Sequence, residues 1–139
     1  LFQNGRLADA LPLYQKAADL RPHEPLIRQE LGWVQLETEQ QDYVKPAIGN
    51  LQFASRIESN DPTTWQLLAV AYGRDGQLAM SALAQAEEAM ASGDGKEARL
   101  QARRALKGLP SGSAGWLRAN DIVSAVRGND ENSDQGDTP

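Results

Sequence analysis

The residues with the most obvious chemical potential lie at His23-Glu24-Pro25-Leu26-Ile27, where a His and a Glu begin what looks like a zinc-binding H-E-x-x-H helix. That motif needs two His one turn apart on a helix, with the Glu as base. Here Ile27 replaces the second His, and Pro25 breaks the run between two helices. The chain has one His and no Cys, so neither a two-His zinc motif nor a thiolate site can be assembled from it. Acidic pairs at Glu37/Glu39 and Glu87/Glu88 do not make a catalytic dyad either, because helix neighbours one or two apart point in different directions. No catalytic residue, metal site or cofactor is therefore expected in this chain. Lys96, Arg99, Arg103, Arg104 and Lys107 place five cations on one segment, with Arg99 and Arg103 one helical turn apart. Such a stripe suits phosphate or an acidic peptide, the chain's own tail included. No aromatics interleave the cations, so nucleic acid is not an expected partner.

Those groups have to be positioned by helices. Twenty Ala and seventeen Leu stand against thirteen Val, Ile and Thr, a balance that favours helix over strand. Breaks at Pro22 and Pro25, Asp61-Pro62, Gly73 to Gly76, Gly93-Asp94-Gly95 and Gly108 to Gly112 divide the chain. Seven helices are expected, at about 7–20, 25–39, 43–58, 63–74, 77–92, 95–107 and 114–126. Asp61 reads as an N-cap with Pro62 in the first helical position, and Gly93 as a left-handed residue after a helix end. Pro12 and Pro46 fall in the first turns of their helices, where a missing N–H costs little. In the last helix Trp116, Ala119, Ile122, Val123 and Val126 form an apolar stripe, suited to covering the open edge of a repeat stack.

The spacing repeats. Gly5, Ala10, Tyr14, Ala17 and Pro22 follow gaps of five, four, three and five, and Gly93, Ala98, Ala102, Ala105 and Pro110 follow the same gaps. Trp65, Leu68, Ala69, Tyr72 and Gly76 supply a large residue, Leu, a small residue, an aromatic and a Gly turn. Over residues 5 to about 110 the chain is similar to tetratricopeptide repeats, which implies an all-α solenoid of antiparallel helix pairs with a C-terminal capping helix. Gln77 to Ser92 fits one helix shared between successive units.

A narrower resemblance rests on Pro25-Leu26-Ile27-Arg28, on Trp65 through Gly76, and on Gly112-Ser113-Ala114-Gly115-Trp116-Leu117-Arg118-Ala119-Asn120-Asp121-Ile122. These stretches resemble the C-terminal repeat region of bacterial zinc metalloproteases of the BepA type. The resemblance implies a catalytic zincin domain upstream of Leu1, which alone would hold zinc, and a periplasmic role in outer-membrane protein quality control. The opening Leu1-Phe2 reads as the end of a helix in a fragment of a longer protein. Residues 1–127 are expected to form the repeat domain. Residues 128–139 hold four acids and no base, and are expected to be a disordered acidic tail. The remaining body carries 15 acids against 14 bases, close to neutral.

Three functions compete on this reading. The first is a protein- or peptide-binding module whose concave groove is lined by Gln29, Trp33, Gln66, Val70 and Arg74, with Arg74 free to swing toward a partner's carboxylate. Trp65, by contrast, is expected to pack between helices. The second is a structural or regulatory array that packs on the protease domain in cis without a groove ligand. The third is an anion or acidic-partner binder acting through the Arg99/Arg103 helix. No apolar run approaches the roughly 20 residues of a membrane-spanning helix.

Overall fold

The computed structural model describes the backbone of residues 4–137, with side chains described for Arg6 and for 9–126. Within those limits the chain is all-α and no strand forms. The helices are α1 (Asn4–Leu20), α2 (Pro25–Glu37), α3 (Val44–Ile57), α4 (Pro62–Arg74), α5 (Leu78–Ala91), α6 (Gly95–Gly108) and α7 (Ala114–Asp137), and a short 3-10 turn at Gln41–Tyr43 leads into α3. Seven helices are thus present, as the periodicity requires. Their ends obey local chemistry. The Asp61 carboxylate accepts from the Thr63 backbone N–H at 3.0 Å, and that of Asp94 accepts from the Glu97 N–H at 3.2 Å, each capping the helix it precedes. Gly76 and Gly93 take φ of 77° and 80°. Those left-handed residues let the following N–H groups of Gln77 and Asp94 reach back to the Tyr72 and Ala89 carbonyls, at 2.9 and 2.8 Å.

Three boundaries differ from the periodicity. Helix α2 stops at Glu37 rather than 39, because Glu39 adopts a left-handed φ of 58° and the Thr38 hydroxyl folds back on the Gln35 carbonyl. A Glu occupies a conformation that usually selects Gly, so composition does not mark the turn. Helix α1 starts at Asn4, which moves Pro12 out of the first turn and into the helix interior, where it has no N–H to donate to the preceding turn. Helix α7 continues to Asp137 rather than ending near 126. The acidic tail expected at 128–139 therefore falls largely on helical backbone whose side chains lie outside the described residues. The reading of Leu1-Phe2 as a helix end lies outside them as well.

Consecutive helices pack on one another along the whole chain, as in a helical repeat. Contacts between helices two apart connect α2 with α4 and α5 with α7. The core has two parts of different character. Around α2, α3, α4 and the middle of α5 it is built from large side chains, with Leu36, Leu51, Leu68 and Tyr72 buried against Val44 and Ile48. Around α5, α6 and α7 it is mainly Ala, with Ala98, Ala102, Ala105 and Ala119 fully buried beside Ile122 and Val126. Small residues there let backbones approach closely. A Cβ added to Gly108 would lie 2.8 Å from the Ala79 Cβ, and one added to Gly95 would lie 3.3 Å from a Val126 methyl. Gly115 in turn lies against Leu109, so α6 and α7 run antiparallel. The buried stripe of α7 is Ala119, Ile122 and Val126, while Trp116 is only half-buried.

Candidate functional site

Helices α2 and α4 leave a cleft of about 330 Å³ lined by Gln29, Glu30, Trp33, Thr63, Gln66 and Leu67. On each helix these residues recur at three- and four-residue intervals, which is one helical face. Three of the five residues expected in the groove, Gln29, Trp33 and Gln66, meet here. Gln66 is exposed and Trp33 is half-buried. Glu30, Thr63 and Leu67 complete the lining. Their signal in the sequence was the same helical phase, since Glu30 precedes Trp33 by three and Thr63 precedes Gln66 by three.

The other two expected residues are placed differently. Val70 is 41% exposed one turn beyond Gln66 and does not line the cleft. Arg74 is a strut. Its Nη1 donates to the Leu36 carbonyl at 2.6 Å, tying the end of α4 to the end of α2. A guanidinium held at a helix C-terminus is favourable there, and in this structure it is bonded to Leu36 and does not line the cleft. The carbonyl of Arg74 also accepts from Gln41 Nε2 at 3.2 Å, while Asp75 pairs with Lys45 at 3.3 Å. Hydrogen bonding from Gln77 holds the Asp75 carboxyl below its ordinary value of 3.8; Lys45 pulls the same way, against the opposing effect of burial.

Gln29 has a double character. Its Nε2 donates to the Asp61 carboxylate at 3.0 Å and to the buried Thr64 hydroxyl at 2.7 Å, so it braces α2 against the cap of α4. It forms part of the cleft wall without projecting freely into it. A second polar brace joins α2 to α3. Arg28 donates through Nε to the Asn50 side chain at 2.7 Å and through Nη1 to the Pro22 carbonyl at 2.9 Å, with its guanidinium 4.5 Å from the Phe53 ring centroid. His23 lies in the α1–α2 turn, exposed, with its ring 6.2 Å from that of Phe53, and Glu24 is the α2 N-cap. The apparent zinc motif is therefore split across a turn. Among the described residues no group of three or more His, Cys, Asp or Glu converges.

A scan of family models and a search of curated proteins return no match for this chain. Its surface chemistry must carry the functional reading. The basic segment does form one face of α6, where Lys96, Arg103, Arg104 and Lys107 are exposed and Arg99 is half-buried. Leu100, 47% exposed, lies among them, while Ala98, Gln101, Ala102 and Ala105 point into the core. Among the described residues no helix is long and apolar enough to cross a membrane.

Proposed function

We propose that the chain is a protein-interaction module, a tetratricopeptide-like solenoid that holds an extended polypeptide in the α2/α4 cleft. The observation that supports this most is the cleft itself. One free side-chain amide, that of Gln66, one indole and one aliphatic side chain face a space flanked by helices two apart, with the Gln29 amide held in its wall. The Gln66 amide can pair with a donor and an acceptor of an extended backbone, and Trp33 offers the large anchor that dominates peptide interfaces. On the resemblance to BepA-type zinc metalloproteases, this module is the non-catalytic C-terminal part of a periplasmic protease. Its partner or substrate is then an outer-membrane protein in quality control, and zinc belongs to the upstream domain.

A second reading is favoured by the exposed cations of α6, which suit an acidic partner. The two are separated by titrating unstructured peptides, read by calorimetry, against two variants. Trp33→Ala is expected to weaken binding by about 2 kcal/mol, while Arg99→Ala combined with Arg103→Ala changes it little. The reverse ranking, with affinity collapsing as salt rises, moves the site to α6.

A further inference from the structure

A second hollow, of about 510 Å³, lies between the end of α3, the start of α4, the end of α5 and the first turns of α7. We propose that it is a separate binding site for a polypeptide carboxylate carried beside an apolar side chain. Its apolar wall is Trp65 and Met90. The indole is half-buried and pinned by its Nε1–H, which donates to the Ser59 carbonyl at 2.7 Å, and Met90 is 38% exposed. Two guanidinium groups flank this wall. Arg118 donates to the Glu87 carboxylate through Nε at 2.9 Å and through Nη2 at 2.6 Å, a fork that holds its plane in place. Hydrogen bonding to Glu87 raises the Arg118 pKa further, so the group stays charged. Of the five N–H donors of an arginine, Glu87 takes two, which leaves donors available to an incoming oxygen.

Arg56 is exposed, and among the described residues no carboxylate pairs with it. Two cations, Arg56 and Arg118, against one anion, Glu87, give the lining a formal charge of +1, with Asp121 acting on Arg118 from outside the lining. One carboxylate balances it, and the Trp65–Met90 wall asks for an aliphatic or aromatic group next to that carboxylate. The volume lies in the range of ligand pockets, large enough for a short stretch of peptide. A chain terminus and an acidic side chain both present this chemistry.

Three synthetic probes separate them in titrations followed by the Trp65 indole N–H resonance. They are acetyl-Ala-Gln-Leu with a free carboxylate, acetyl-Ala-Leu-Glu-Ala amide, and the neutral acetyl-Ala-Leu-Gln-Ala amide. At millimolar concentration one or both charged peptides are expected to shift the resonance, and the neutral one to bind about tenfold or more weakly. Which charged probe is favoured identifies the source of the carboxylate. Arg56→Gln, at an exposed position, is expected to weaken the charged peptides about tenfold while leaving the melting temperature unchanged. Trp33→Ala is expected to leave this binding intact, so failure of the α2/α4 cleft and failure of this site are told apart. Equal binding of charged and neutral peptides, no shift of Trp65 with any probe, or unaltered affinity in Arg56→Gln each overturns the proposal.

Discussion

Gln29 shows how one side chain settles what a cleft can do. Its amide N–H groups are already spent on Asp61 and Thr64, and Thr64 is 1% exposed, so the bond to Thr64 sits where water cannot replace it. Gln29→Ala removes the donor to that buried hydroxyl and one of the donors to the cap carboxylate, which keeps the Thr63 N–H, at a cost of roughly 1–3 kcal/mol. Urea unfolding of the variant measures it, and an unchanged midpoint would show that the brace is idle. Asp75 gives a pH-dependent counterpart. Its folded pKa is depressed, so the stability it contributes is present at neutral pH and is lost as pH falls through the folded value. The melting temperature of the native chain is expected to fall more steeply between about pH 5 and pH 2 than that of Asp75→Asn. Parallel curves would exclude a role for the Gln77 and Lys45 contacts.

At the scale of elements, two glycines inside helices give opposite predictions. A Cβ on Gly32 in α2 would lie 2.7 Å from the Leu51 Cγ and 3.0 Å from one of its methyls, on a side chain that is itself fully buried. Gly32→Ala is therefore expected to destabilise by about 1–3 kcal/mol through overpacking. Gly49 in α3 is exposed, with nothing within 4 Å of the same position. Gly49→Ala should stabilise by about 0.5–1 kcal/mol, because Ala gives up less backbone freedom on entering a helix. Thermal melts of both variants check the pair, and a shared sign would contradict the α2/α3 packing. Spacing singles out Leu31-Gly32 as a core position of α2. That a leucine from α3 fills the space over the glycine depends on how the two helices cross.

For the molecule as a whole, the question is where cooperative structure ends. The buried residues described on α7 are Ala119, Ile122 and Val126, all of which precede Arg127. Truncation after Arg127 is expected to leave the melting temperature almost unchanged. Ile122→Ala, at 1% exposure, should cost about 2–5 kcal/mol and loosen the Ala-rich half of the core. Calorimetry of both variants tests the division into array and tail. If truncation costs more than Ile122→Ala, the array does not end at Arg127. The change from a core of Leu, Ile and Tyr to one of Ala also makes α5 and α6 sensitive to added volume, since a Cβ on Gly108 would lie 2.8 Å from the Ala79 Cβ.

Helix number, most helix ends and the inward faces of α6 and α7 followed from the sequence, because each depends on residues within one or two turns. The Asp61 cap, the Gly93 turn and the Ala98–Ala102–Ala105 stripe are local in this sense. The clustering of Gln29, Trp33 and Gln66 was partly legible too, since helical phase places them on comparable faces. Their partners were not. Gln29 meets Asp61 and Thr64 across 32 and 35 positions, and Arg74 meets Leu36 across 38. Arg118 reaches Glu87 across 31. Helical periodicity carries no information over such separations. Only the packing of one helix on the next decided that Gln29 and Arg74 are struts, and that Arg56 and Arg118 flank a hollow around Trp65.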